Sequence, residues 1–569
     1  MGPSSARRRW RFAALLLAAV SPAVASAQRV TGTVRDSLSR LPIAGAVVTM
    51  SDGAGRTLRQ LITDTAGRFG ATVPAGRVRV RVLRIGFRPV QRTVEARPGS
   101  ATALDLAMPE ISIVLAAVRT SSEKICGEDD RPGSAAAELW QQARAGLLAT
   151  VVARRAVPAD VRVLEYRQVY DAGGAHLLQQ RARISAGSSQ RPFAAAATAR
   201  DFEHTGFVVD ADDGRTYYAP DADVLLDPQF AANHCFSVAA DPRRHPDEIG
   251  LAFEPAKNAP DAIVDVAGTL WLRSGTPELR SMSFGYVRIE DAAREAGAGG
   301  TIDFSTMPNG VVMLSRWDLT APVLRRRRSY RWEPGVWQYD VTQVQHIGGI
   351  LADASWPGGL HWHGPVGTVV GLVVRGRAAS PAPGVRVWLE KYADTVTTDA
   401  RGAFRFRDLL PGPYTIHAED PALAPFDAEP PLRSDITVPD RADTLRPMVL
   451  LSYDDVERRL CEGQPLDSQT TVLVGNVRDD SRQSVAGTDL KLTWAYGGAF
   501  AGTTTRLVHA VKGRFAACGI PRGVSISIHA LRDTTVWLDS TVTAPAGPLG
   551  IVTLDLAPRP RPAAARGGG

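Results

Sequence analysis

The sequence predicts a mostly β protein. It is read as three small β-sandwiches and a central curved antiparallel sheet, a half-barrel covered by one helix. Three observations carry this reading. A passage of alternating strands punctuated by Gly and Pro recurs three times, starting near Val30, Val369 and Val472. Period-2 alternation bounded by turn residues is the pattern of half-buried strands. One stretch near residue 140 switches to helical spacing, and alternation resumes after Pro158.

A leader occupies residues 1–27. Arg7, Arg8, Arg9 and Arg11 precede the apolar run FAALLLAAVSPAV, and Ala25-Ser26-Ala27 is a small-residue cleavage site, so the mature chain is expected to begin at Gln28. The first sandwich spans 28–112, with strands TGTVRD, AVVTMSD, LRQLITD, RVRVRVLRIG and RPVQRTVEA closed by ALDLAMP. In its DTAGRF turn Gly67 takes positive φ and Phe69 plugs the core; Gly45 marks an earlier turn. The central region spans 125–350. Leu139, Ala143, Leu147 and Val151 lie at helical spacing. Hairpins are expected at Gly173-Gly174, Asp213-Gly214 and Asn309-Gly310. The stretch ADASWPGGLHWHGP reads as a linker. The second sandwich covers 366–452, with Gly384, Gly402 and Phe404 in the corresponding places. DDVERRLCEG forms a short helical connection. The third sandwich covers 468–557, with Gly487, Gly513 and Phe515, and the Pro/Gly/Arg-rich tail 558–569 is expected to be disordered.

The copies share GxV, PxxGAxV, TDxxGxF and a Pro-Gly corner: Gly32, Val34, Pro42, Gly45, Thr63, Asp64, Gly67, Phe69, Pro74 and Gly76 in the first. The second matches through Gly371, Pro383, Gly384, Thr398, Asp399, Gly402 and Phe404. On these residues the copies resemble the carboxypeptidase regulatory-like domain. The resemblance implies an Ig-like, transthyretin-like seven-stranded sandwich within the wider carbohydrate-binding-like fold. The third copy departs, with Val511-Lys512 where the others have Thr-Asp. Such modules occur beside peptidases, on surface adhesins and ahead of outer-membrane receptors, so the resemblance speaks to fold rather than activity. The whole pattern resembles exported multidomain proteins of Gram-negative bacteria.

Hydrophobic residues make up 44% and charged residues 22% of the 569, ordinary globular material. The net charge of +7 comes from arginine, since lysine appears only at positions 124, 257, 391, 491 and 512. Arg325–Arg328 is the one local concentration. It lacks the context of a nucleic-acid module, and no nucleic-acid partner is expected. No segment outside the leader reaches about 18 uninterrupted apolar residues, so no transmembrane segment is expected after cleavage. Four cysteines without CxxC spacing, in an exported chain, argue for two disulfides. Of three connectivities, Cys126–Cys235 and Cys461–Cys518 keep each bridge inside one expected domain. Free or intermolecular thiols are the alternative.

Chemistry-bearing patterns are sparse. His245-Pro246-Asp247-Glu248 has the HxxE spacing of zinc carboxypeptidases, with His346, His361 or His363 as a third ligand, but an antiparallel meander offers no scaffold for that chemistry. Asp210, Asp212, Asp213 and Asp221 lack the terminal Glu of a calcium loop. Ser121 and Lys124 copy a nucleophile spacing without its other elements. Trp271, Trp317, Trp332, Trp337 and Tyr339 are the candidate groove for a glycan or lipid, weighed against simple core packing. No cofactor or metal is expected. The sequence is read as a non-enzymatic, exported binding or scaffolding protein of the periplasm or outer surface, with a glycan or another envelope protein as partner. The alternatives are a secreted zinc carboxypeptidase-like enzyme, or an accessory of TonB-dependent outer-membrane transport, the latter resting on the segment ISIVLAAVRTSSE.

Overall fold

The computed structural model describes residues 28–111, 124–126, 134–189, 198–211, 214–257, 263–274, 278–328, 337–392, 394–440, 443–464, 467–479, 481–496, 502–532 and 535–556. The leader, the tail, Ser121, Asp212, Asp213 and Trp332 lie outside them, as does all of ISIVLAAVRTSSE but its first residue.

The chain is mostly β. The first sandwich contains β1 (Gln28–Asp36), β2 (Val47–Ser51), β3 (Thr57–Ile62), β4 (Arg68–Val73), β5 (Gly76–Leu83), β6 (Val90–Ala96) and β7 (Ala101–Met108). They form sheets ordered β4-β1-β7 and β3-β2-β5-β6. Between the sheets lie the alternate residues Val30, Val34, Val48, Met50, Val78, Val80 and Val82, each essentially inaccessible. At ~1.5–3 kcal/mol per buried aliphatic side chain, this set is the main source of the module's stability.

The central region begins with β8 (Lys124–Cys126) and helix α1 (Ala135–Ala156). The Ser134 hydroxyl accepts from the Ala137 N–H at 3.1 Å and caps the helix start. Strands β9 (Asp160–Tyr170) and β10 (Leu177–Ser188) follow, then α2 (Ala199–Thr205), β11 (Val208–Ala211), β12 (Gly214–Tyr217), α3 (Ala222–Leu225), α4 (Pro228–Asn233), β13 (His234–Ala239), β14 (Glu248–Pro255), β15 (Asp265–Arg273), β16 (Leu279–Val287), α5 (Asp291–Glu295), β17 (Gly299–Thr306), β18 (Val312–Arg328), β19 (Trp337–Trp356) and β20 (Leu360–His363). Every strand of this region but β11 and β12 joins one eleven-stranded sheet, ordered β10-β9-β19-β18-β17-β16-β15-β14-β13-β8 with β20 on β19. Every pairing in it is antiparallel, and β10 and β8 remain as separate edges. Leu139, Ala143 and Leu147 of α1 sink into a core with Leu270, Leu272, Met282 and Ile302. Gly146 allows the close approach, since a Cβ there would stand 3.2 Å from Leu279.

Two expectations need correction. The short helices α2 to α5 also pack around this sheet, and their lengths of four to seven residues leave too little periodicity to read. The stretch 352–365 is not a linker. Strand β19 runs through it to Trp356, and β20 folds back in register from Asp353↔His363 to Trp356↔Leu360. Gly358 and Gly359, at φ +95° and +85°, make the turn, and buried Trp356 with Trp362 anchors the hairpin to the core.

The second sandwich has β21 (Gly367–Arg375), β22 (Ser380–Pro381), β23 (Arg386–Leu389), β24 (Thr395–Thr397), β25 (Ala403–Leu409), β26 (Gly412–Glu419), β27 (Leu432–Val438) and β28 (Asp443–Leu450). Helix α6 (Tyr453–Leu460) leads to β29 (Thr470–Arg478), β30 (Thr488–Tyr496), β31 (Gly502–Ala510), β32 (Arg514–Pro521), β33 (Ser525–Arg532), β34 (Thr535–Thr543) and β35 (Leu549–Asp555). In all three sandwiches the first and last strands pair in parallel: β1 with β7, β21 with β28, β29 with β35. The chain therefore enters each module at one end and leaves at the other, which suits a serial arrangement.

The recurrent glycine and phenylalanine residues share one geometry. Gly67, Gly402 and Gly513 have φ of +70°, +75° and +77°. The following Phe69, Phe404 and Phe515 are buried and lie flat over Gly32, Gly371 and Gly475 on the neighbouring strand, where any Cβ would overlap the ring. Gly45, Gly384 and Gly487, at +71°, +76° and +71°, donate to the carbonyls of Thr63, Thr398 and Ala510 at 3.1–3.2 Å. Asp64 accepts from the backbones of Ala66 and Arg68, and Asp399 from those of Arg401 and Ala403. The third copy needs no such carboxylate. Its turn is a tight Lys512-Gly513 pair, both at positive φ, closed by two 2.9 Å bonds between Val511 and Arg514.

Both disulfides are intramodular: Cys126–Cys235 joins β8 to β13, and Cys461–Cys518 joins the end of α6 to β32. The modules also touch. Val47 and Ile62 of the first sandwich share a core with Ala149 and Val152 of α1 and with Val311. Leu410 of the second packs on Leu164, Tyr166 and Ile350 of the sheet.

Candidate functional site

Strands β18 and β19 are longer than their neighbours. β17 stops pairing with β18 at Thr320, and β9 stops pairing with β19 at Val344. Beyond those points the two continue as a ribbon as far as Arg328 and Trp337, about 25 Å at ~3.3 Å per residue. A bulge between Val323 and Leu324 resets the alternation, with Thr342 Oγ1 donating to the Val323 carbonyl at 3.0 Å.

The helix-bearing face of the sheet opens here into a groove of about 670 Å³. Its floor is apolar, with Leu319, Ala321, Pro322, Val323 and Ile347, and Val323 and Ile347 are exposed. Arg167, Gln345, Arg326 and Tyr339 stand at its borders. The wall is the β11–β12 hairpin, anchored by Tyr217, whose hydroxyl donates to the Pro322 carbonyl at 2.8 Å. Arg215 in that wall is clamped bidentately by Glu290 at 2.6 and 2.8 Å and by Asp210 at 2.6 and 2.9 Å. The same bonds hold both carboxyls below their ordinary range. Arg326 is different. Its guanidinium lies 3.7 Å from the Trp337 ring centroid and meets no carboxylate among the described residues.

The five aromatic candidates are not brought together. Trp271 does not line a groove: it is 6% exposed and stacks on His245 at 3.7 Å, because strand alternation places it on the opposite face from the core residues Leu270 and Leu272. Trp317 is partly buried between the α1 core and the first sandwich, over Gly349. Trp337 and Tyr339 lie on the ribbon, and Trp332 is outside the described residues. The groove floor went unseen because Leu319, Ala321 and Ile347 read as ordinary inward-facing strand residues. The signal was the Arg325–Arg328 run at the end of an overlong strand.

The opposite face carries a polar relay. Tyr166 crosses Gly348 and donates to Asp318 at 2.5 Å, and His346 Nδ1 donates to the other oxygen at 2.8 Å. Burial pushes the Asp318 carboxyl up, but the bonds from His346 and Tyr166 outweigh it and hold the group below its ordinary range. Nearby Asp303 is pushed up by burial, against the pull of Arg316. His245 Nδ1 bonds Glu248 at 2.6 Å, His363 pairs with Asp353 at 2.7 Å, and His346 is committed to Asp318. Among the described residues no three His, Cys, Asp or Glu side chains converge as metal ligands. Asp210 pairs with Arg215, whereas Asp221 caps α3 through the Val224 N–H.

No curated protein matches the chain. Among solved structures it is similar to a streptococcal ancillary pilin, at 13% identity over 46% of this chain and 81% of that one, with a TM-score of 0.17. It is also similar to the Bacillus anthracis TIE protein, at 12% identity over 61% and 63% of the two chains, TM-score 0.17. The major pilin subunit of Bacillus cereus aligns at 8% identity over 93% and 99%, TM-score 0.14. The family model of the carboxypeptidase regulatory-like domain matches residues 29–109 and 368–445, the first two sandwiches. The chain therefore carries two carboxypeptidase regulatory-like domains, one on each side of the eleven-stranded sheet in sequence.

Proposed function

We propose that this chain is a non-enzymatic binding and scaffolding protein of the cell envelope, whose sandwiches brace the central sheet and whose groove takes carbohydrate. The groove carries the reading. It has the size of ligand pockets, about 300–1,000 Å³, an apolar floor, and polar groups converging from three elements. The two disulfides, with no free cysteine left, support an extracytoplasmic site at the periplasm or outer surface. No helix among the described residues is long and apolar enough to cross a membrane. The matched modules are regulatory-like in kind, and His245 and Glu248 form a pair with each other rather than part of a ligand set.

A glycan and peptidoglycan array tests this directly. Wild-type protein retains a defined set of glycans, and Tyr339→Ala reduces retention at least tenfold. A blank array overturns the carbohydrate reading. Stoichiometric zinc in purified protein, lost in His245→Ala, overturns the non-enzymatic one.

A further inference from the structure

The groove has one neutralised end and one unneutralised end, and this asymmetry bears on what it takes. At the wall, Arg215 is fully answered by Asp210 and Glu290. Along the ribbon, Arg325, Arg326 and Arg328 are exposed and have no acidic partner among the described residues; only Arg327 is paired, with Asp340 at 3.1 Å. Arg326 and Arg328 both lie over Trp337, at 3.7 and 5.2 Å from its ring centroid, so they share one ribbon face with Tyr339 and the groove. An arginine held on an aromatic ring is pre-organised and keeps its outer N–H groups free for a carboxylate.

We infer that the groove ligand is an acidic polysaccharide segment, its carboxylates held by Arg326 and Arg328 and its sugar rings lying over the floor at Val323 and Ile347. This rests on the carbohydrate reading above and adds the charge of the ligand. Charge complementarity favours it: the ribbon presents cations two residues apart, about 7 Å along the strand, to an extended anion. A flat membrane does not enter a groove walled by the β11–β12 hairpin. Nucleic acid stacks its bases on open aromatic faces, and Arg326 occupies a face of Trp337.

The test is calorimetric titration of the full chain with a galacturonic acid hexamer and with the same hexamer fully methyl-esterified, which is uncharged. The acid binds at least tenfold tighter than the ester. Arg326→Gln/Arg328→Gln, whose side chains are exposed and whose thermal unfolding is unchanged, brings the two to parity. Raising salt weakens binding of the acid and not of the ester. Equal affinity for acid and ester in the wild type overturns the inference and leaves the carbohydrate reading standing. Binding of neither hexamer, set beside a blank array, overturns both. Equal or tighter binding to anionic phospholipid vesicles or to single-stranded DNA also overturns the inference.

Discussion

A glycine in this chain is costly to replace for one of two separable reasons. At Gly67 both apply: φ is +70°, and a Cβ would collide with the Val34 carbonyl oxygen. Gly99, in the same sandwich, has nearly the same φ of +71° but open space around it. Gly99→Ala costs about 1 kcal/mol, the backbone term alone. Gly67→Ala costs about 2–4 kcal/mol, because the turn beneath Phe69 must also shift. Denaturant unfolding followed at the first sandwich's transition checks the order, and equal costs contradict it. The positions were legible because a Gly two residues before a Phe, after a Thr-Asp pair, implies a left-handed turn and an inward ring. The partner was not. That Phe69, Phe404 and Phe515 lie over Gly32, Gly371 and Gly475 depends on cross-strand register, which no local pattern encodes.

At the scale of elements, the joint between the second and third sandwiches turns on Arg375. This residue, buried at the end of β21, bonds Asp420 at 2.6 Å, Glu429 at 3.1 Å and the Leu451 carbonyl at 2.9 Å. Its guanidinium also sits 4.5 Å from the ring centroid of Tyr453, the first residue of α6. Glu429 in turn accepts from the Leu451 N–H at 2.6 Å. Arg375→Met leaves the buried Glu429 and the partly buried Asp420 without their cation and lowers stability by about 3 kcal/mol. Adding Glu429→Gln recovers part of the loss. A change below about 1 kcal/mol in the single variant, measured by thermal and denaturant unfolding, contradicts this. Sequence reading found the helix α6 and both partners of the nearby disulfide, since four cysteines in an exported chain imply bridges kept within one module. It missed the ion cluster because Arg375, Asp420 and Glu429 are dispersed along the chain. It also misread 352–365, where Gly and Pro mark a hairpin turn rather than a spacer.

At the scale of the molecule, the parallel first and last strands pass the chain from end to end of each sandwich, and shared cores tie the first and second to the central sheet. Among the described residues, none from the first or second sandwich lines the groove at the far end of β18 and β19. The overlong strands, with cations at their tip, are what sets the eleven-stranded sheet apart from a plain structural layer. Hydrogen–deuterium exchange of the full chain, with and without the galacturonic acid hexamer, locates where the ligand sits. A ligand in the groove slows exchange only in residues 319–328, 337–347 and the β11–β12 hairpin. Protection confined to the sandwich loops, with these segments unchanged, would contradict it.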